Sequence, residues 1–249
     1  MKVDICVATK NSFQTLPKLI NSIKSQILKT NSRLLIADGS SSDKTKEYLS
    51  EFNFCKIISH SDNSPEEAIN KLLKFESPSI LKILVGSDDW LSEEYLNTFK
   101  TEAEKLLNKG IYKFVLIPKF YKNIGTNLLK IDLPIPLFFL NFIGIGRGIG
   151  WGIYNNEELI PLLGESFHIA SDYDYLLKCL KLKYYFKYVP CKYFHLKNGR
   201  SSKNWRVGLN EEREIGLKYS ENFIYSFIIN FLYLFKLIYK LFNEFIQKS

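Results

Sequence analysis

The chain has 249 residues, 46% of them hydrophobic and 24% charged, enough apolar material for one sizeable α/β core plus an appendage. Its four cysteines, Cys6, Cys55, Cys179 and Cys191, lie far apart with no C-x-x-C spacing, which argues against both a zinc site and a disulfide framework. The net charge of +8 favours acidic partners without ranking a nucleotide diphosphate, a phosphorylated acceptor, an anionic membrane or nucleic acid.

Met1-Lys2 leads straight into the β-branched run Val3 to Ala8, which leaves no charged stretch and apolar h-region of a secretory signal and sets the expectation of a cytoplasmic protein. Further strands are expected at Arg33 to Ala37, Lys56 to Ser59, Ile80 to Val85 and Lys113 to Ile117. Helices are expected to start near Phe13, Asp43, Pro65 and Ser92, the last two with a serine cap and first-turn acids. This alternation predicts βαβ units around a mainly parallel sheet. Residues 119–151 break the regularity with Leu133-Pro134-Ile135-Pro136 and the glycines of 144–150, a long functional loop that fits no G-x-G-x-x-G register. Helical pattern resumes at Asn155 to Leu163 and Ile169 to Leu182, followed by an aromatic strand from Tyr184 to Phe194.

From Asn222 onward Phe, Ile, Leu and Tyr dominate. Ser226, Asn230, Lys236, Lys240, Asn243 and Gln247 form one narrow polar stripe, interrupted at Tyr233. The pattern predicts an amphipathic helix with a very wide apolar face. Two lysines near its end argue against a span of about 20 residues and for an in-plane position on a membrane surface. Packing on the domain or on a second subunit is the alternative.

Polar residues gather where the predicted strands end. After the fourth strand, Ser87-Asp88-Asp89 sets two adjacent carboxylates whose repulsion calls for a counter-cation, and Mg2+ or Mn2+ bridging a diphosphate is the natural one. A helix cap explains the same residues almost as well. Thr9 and Asn11 follow the first strand, and Asp38-Gly39-Ser40 the second, where a carboxylate can accept the imino N–H of a uracil. Asp172 and Asp174 open the later helix but differ by about 200° around its axis, so only one can face a given site.

In order and spacing, the strand-T-x-N, strand-D-G-S and strand-S-D-D series resembles the family 2 glycosyltransferases. The resemblance extends to Asp62, Ala68 and Asn70, which match a D-x-G…D-A-x-N segment whose glycine and second acid are replaced here. Ala8 and Lys10 also stand where proline and tyrosine are common. The resemblance implies a GT-A fold, an α/β class with a mixed, mainly parallel sheet flanked by helices. It divides the domain into a nucleotide-sugar-binding half at 1–118 and an acceptor-binding and catalytic half at 119–221, while the C-terminal helix at 222–249 belongs to no motif of the family.

Function follows as an expectation: inverting, metal-dependent hexosyl transfer, one sugar per encounter. The donor would be a nucleotide sugar, a UDP-sugar being favoured, and the acceptor a saccharide or lipid-linked oligosaccharide in surface-polysaccharide synthesis. Asp172 would be the catalytic base. Thr9, Asn11, Asp38, Gly39, Ser40, Asp62, Asn70, Asp88 and Arg200 would bind the donor, with Asp89 on the metal and His195 a further candidate ligand. Lys197 and Arg147 are additional phosphate candidates. A homo-oligomer is compatible with the sequence, and a nucleic-acid partner is not expected. A nucleotidyltransferase is the rival enzyme, lacking support in Thr9-Lys10-Asn11-Ser12, and an inactive membrane-associated scaffold is the rival of another class.

Overall fold

Strand β1 (Lys2–Thr9) is followed by α1 (Leu16–Thr30), β2 (Arg33–Asp38), α2 (Thr45–Ser50), β3 (Cys55–Ser59), α3 (Pro65–Lys74) and β4 (Ile80–Leu84). These are the βαβ units expected from the alternating pattern. The structure, a computed structural model, describes residues 1–59, 62–76, 80–124, 127–130, 150–156, 160–164, 166–195, 204–220 and 222–248. Next come β5 (Trp90–Leu91), α4 (Tyr95–Asn108), β6 (Lys113–Ile124), β7 (Asn127–Lys130), β8 (Gly152–Asn155), α5 (Ser171–Lys181) and β9 (Tyr185–His195). Two more helices, α6 (Trp205–Tyr219) and α7 (Phe223–Lys248), end the described chain.

Among the described residues the strands form one nine-stranded sheet, ordered β3-β2-β1-β4-β8-β6-β9-β5, with β7 beside β6. β1 pairs in parallel with both β2 and β4, and β2 with β3. β8 is inserted antiparallel between β4 and β6, whereas β6 and β9 run parallel. The sheet is therefore mixed, and the carboxyl ends of β1, β2, β3, β4 and β9 share one edge. Ile5, Leu35, Ile36, Ile83 and Leu84 are fully buried between helical layers, the near-continuous apolar pattern expected of a sheet covered on both faces.

Two expectations need correction. The loop expected at 119–151 does not begin at Lys119, since β6 runs on to Ile124 and pairs with β7 as a hairpin; its part at 131–149 lies outside the described residues. Of the helix expected from Asn155 to Leu163, Asn155 belongs to β8 and 160–163 are non-helical, while 157–159 lie outside the described residues. Its apolar spacing serves burial against the sheet: Ile160 and Leu163 both join the core. Helix α6, for which no expectation was formed, occupies residues 205–219.

All four cysteines carry free thiols, as their spacing implied. Burial pushes Cys6 and Cys55 up to about 12, far from the range in which a thiolate reacts. At the opposite edge from the site, buried Lys82 donates to Asp4 Oδ2 at 2.6 Å and Arg33 Nε to Asp4 Oδ1 at 2.7 Å, so charges at the amino ends of β1, β2 and β4 are paired.

Candidate active site

The site begins where β4 stops. Val85 continues the ladder by donating its amide to Cys6 O, and Gly86 then opens the turn that carries Ser87, Asp88 and Asp89. A Cβ at position 86 would lie 2.5 Å from Asp89 Oδ2 and 3.2 Å from Asp88 Oδ1, so only glycine lets both carboxylates fold back against the strand end. Ser12 Oγ meets Ser87 Oγ at 3.2 Å and ties this turn to the end of β1.

Strand β9 supplies the other wall. Alternation along a strand puts Tyr193 and His195 on one face, and both point at Asp89. Tyr193 donates its hydroxyl to Asp89 Oδ2 at 2.7 Å while accepting the Gly86 amide at 2.8 Å. His195 Nδ1 lies 3.3 Å from the same carboxylate oxygen and its ring stacks on Phe120, 5.4 Å between centroids. Desolvation raises the Asp88 carboxyl above its ordinary range and the neighbouring Asp89 charge adds to this, against smaller lowering effects from a backbone hydrogen bond and His195.

Among the described residues no three His, Cys, Asp or Glu side chains form a complete metal cage. The Asp89–His195 pair nevertheless fits a hard divalent ion that takes its remaining oxygens from a diphosphate and water, the usual mode for magnesium-type sites. Manganese, like magnesium, suits carboxylate and water oxygens.

The β1 and β2 ends stand next to each other, with Thr9 paired to Asp38 in parallel register. Thr9 Oγ1 is buried without a hydrogen-bond partner, an unsatisfied group at the crevice floor. Asp38 is fully buried and accepts from the Ser41 amide at 3.0 Å and the Ser41 hydroxyl at 2.5 Å, with Lys46 Nζ at 3.3 Å. Its carboxylate thus shapes the loop after β2. Gly39 donates its amide to Thr9 O, and Ser40 takes a left-handed φ of 58°. Asn11, also left-handed, accepts the Ser42 amide at 2.8 Å, clasping the two loops together.

Asp62 lies just ahead of α3 and Asn70 within it. Asp62 Oδ1 takes a 2.5 Å bond from Lys71. The Asn70 amide grips the backbone of Leu163, donating to its carbonyl at 3.0 Å and accepting its N–H at 2.8 Å. That clamp orients residues 160–164, which lead towards α5.

Asp172 lies in the first turn of α5 and is 7% exposed. Ser171 donates its hydroxyl to Glu66 Oε1 at 3.2 Å, and Glu66 stands in the first turn of α3. Because α3 starts just beyond the carboxyl end of β3, this contact places the Asp172 turn at the same sheet edge as Asp38 and Asp89. Asp174 instead accepts from Lys218 of α6 at 2.7 Å. Arg200, Lys197 and Arg147 lie outside the described residues.

Sequence reasoning passed over Tyr193, although the period-2 spacing of Cys191, Tyr193 and His195 was visible. It also passed over Glu211, whose carboxylate accepts three backbone amides from the segment ahead of α5. No local pattern announces that contact, because it joins positions more than forty residues apart.

Residues 4–119 match the model of glycosyl transferase family 2, a span that includes the β1, β2 and β4 ends and the paired acids. Over that span the chain is similar to the family 2 glycosyltransferases. No curated protein matches the sequence. Among solved structures, this chain is similar to S. aureus TarS 1–349, at TM-score 0.63 and 18% identity over 86% of this chain and 65% of that one. The TarS 1–349 complex with UDP-GlcNAc gives TM-score 0.67 and 18% identity, covering 93% of this chain and 71% of that one. A mannosyltransferase, PcManGT from Pyrobaculum calidifontis with GDP-Man and Mn2+, gives 0.64 and 14% identity over 93% and 69%. At these identities the likeness is one of fold, the GT-A arrangement expected from the motif series. The chain spans 65% of the first of these TarS 1–349 structures, less than two thirds, and 39% of the longer TarS structure.

Proposed function

We propose that this glycosyltransferase transfers one sugar, with inversion, from a nucleotide sugar to a hydroxyl of a saccharide or lipid-linked acceptor, aided by Mn2+ or Mg2+. The observation that carries the reading is the convergence of Asp89 and His195 at the sheet edge, 3.3 Å apart, beside a desolvated Asp88. Similar folds solved with UDP-GlcNAc and with GDP-Man and Mn2+ support the donor class and the metal.

In this reading Asp89 and His195 hold the ion, and Tyr193 fixes the Asp89 carboxylate from behind. When bound, the ion supplies Lewis-acid neutralisation of the departing nucleotide diphosphate. Asp88 orients the donor. Thr9 Oγ1 offers an unused hydroxyl to it, while Asn11, Asp38, Gly39 and Ser40 shape the nucleoside loop. Asp62 acts from just ahead of α3 and Asn70 from within it, with Asn70 holding the backbone of Leu163. Asp172 removes the proton of the acceptor hydroxyl as that oxygen attacks.

Membrane contact through α7 belongs to the same proposal. The polar side of this helix faces α6: Asn230 accepts from Arg213 at 2.7 Å, Tyr233 donates to Asn210 at 2.6 Å, and Lys236 pairs with Glu212 at 2.9 Å. The apolar side faces outward, with Phe223 84%, Phe227 63% and Phe231 62% exposed. By length and composition Phe223–Phe242 suffices to cross a bilayer. The engagement of Lys236 and of Lys240, which lies over Trp205, supports the in-plane position. A bilayer surface at α7 also suits a lipid-linked acceptor and a cytoplasmic, peripheral location.

The test is a screen of UDP-, GDP- and dTDP-sugars with Mn2+, reading nucleotide release with and without saccharide acceptors. Asp89→Ala is expected to abolish metal-dependent release. Asp172→Asn keeps shape but cannot take a proton, and is expected to abolish transfer. Full activity in either variant removes the corresponding assignment.

A further inference from the structure

Helix α5 has no side-chain cap of its own, since its N-cap position is Ala170. The backbone N–H groups around a helix start need partners, and leaving them buried and unpaired is costly. Here the amides of His168, Ile169 and Ala170 all donate to one carboxylate, that of Glu211 in α6, at 3.0, 2.7 and 2.8 Å. A row of successive amides of this kind is an anion-binding concavity, and the chain fills it with its own side chain.

The fit is close. A Cβ on Gly208, one turn before Glu211, would stand 2.8 Å from Ile169 Cγ2, so α6 lies directly on the segment it holds. Glu211 is itself buried, at 9% exposure. Two residues beyond the third amide comes Asp172.

We propose that Glu211 is a positioning residue for transfer: by gathering these three amides it fixes the start of α5 and with it the carboxylate of Asp172. The role rests on the reading of Asp172 as base. Misplacing a reacting group by about 1 Å costs on the order of a hundredfold in rate, so the effect belongs in kcat rather than in donor binding.

Glu211→Gln keeps the volume but turns one acceptor oxygen into a donor facing an N–H. Lys218→Ala serves as control, because it removes a contact to the same helix at Asp174 without touching the three amides. Turnover is read as nucleotide release from UDP-GlcNAc and GDP-mannose with Mn2+, alongside hydrogen–deuterium exchange of residues 166–172. Glu211→Gln is expected to lower kcat by about tenfold or more, with donor KM and the UDP-induced thermal shift unchanged and exchange accelerated. Lys218→Ala is expected to keep kcat within about twofold, because side-chain contacts away from the reacting groups do not set its geometry.

Gly208→Ala, which presses on Ile169 while retaining the carboxylate, provides a second variant should Glu211→Gln fail to fold, and is expected to lower kcat in the same sense. Equal losses of kcat and of thermal stability in Glu211→Gln and Lys218→Ala overturn the proposal, because a mere brace behaves so. Wild-type turnover in Glu211→Gln beside an inactive Asp172→Asn overturns it while leaving the base reading intact. Full turnover in Asp172→Asn overturns both. Absence of turnover with any nucleotide sugar defeats the enzymatic reading, and unchanged exchange at 166–172 then defeats the ordering role of Glu211 separately.

Discussion

The hydroxyl of Tyr193 stands between the Gly86 amide and the Asp89 carboxylate, accepting from one at 2.8 Å and donating to the other at 2.7 Å. It links the end of β4 to the end of β9 and leaves Asp89 one orientation. Tyr193→Phe is expected to weaken Mn2+ binding by about tenfold, the lower end of what loss of a ligand's hydrogen-bond partner costs. Calorimetric titration with Mn2+ and UDP measures this, and an unchanged affinity would show that Tyr193 serves only packing.

Gly86→Ala should be more damaging than Tyr193→Phe. The new Cβ would fall 2.5 Å from Asp89 Oδ2 and force that carboxylate out of place. Expected is loss of the Mn2+-dependent thermal shift with the far-UV circular dichroism unchanged. Retention of both the shift and metal-dependent nucleotide release would place the metal elsewhere.

Asp88 links metal binding to pH. Its folded-state carboxyl is raised above the ordinary 3.8 by desolvation first and by Asp89 second, so the folded protein holds this proton more tightly than the unfolded chain does. The sign follows: as pH rises from the ordinary carboxylate range through the raised value, the metal-free protein loses stability. Asp88→Asn is expected to remove that loss and to raise the metal-free Tm at pH 7 by a few degrees, on the order of 2 °C. A bound divalent cation favours the ionised acid, so wild-type Mn2+ affinity should climb over the same pH window. Parallel pH–Tm curves for wild type and variant would refute the linkage.

Helix α7 is expected to bind vesicles through its outward aromatic face. Replacing Phe227, Phe231 and Phe235 with Gln leaves the contacts to α6 in place, whereas deleting the helix would also strip Lys236 from Glu212. Cosedimentation with vesicles containing anionic lipid should be lost in the triple variant, with nucleotide release in solution retained. Unchanged cosedimentation would refute the in-plane contact.

The motifs legible in the sequence are those whose partners are local. Strands β1 to β4 announce themselves by β-branched runs, α3 by Ser64-Pro65-Glu66-Glu67, and the site by acids following strands, because a parallel sheet collects all such ends at one edge. A helix was expected across Ile160 to Leu163 because that segment buries apolar residues at a spacing that periodicity alone cannot assign. The polar stripe of α7 was legible, but its direction was not. An amphipathic pattern shows that two faces differ, and only packing against α6 showed that the polar one points inward.

By itself the sequence determined the order of βαβ units, the placement of Thr9, Asp38, Asp88 and Asp89 at strand ends, and a helix opening at Asp172. Those follow from period, propensity and cap chemistry, which act over a few residues. Only the tertiary structure decided that Tyr193 and His195 would close on Asp89, that Asn70 would hold Leu163, and that Glu211 would gather the amides ahead of Asp172. Such contacts depend on which strands become neighbours and how tightly helices lie on them, and that is set by burial of the whole core.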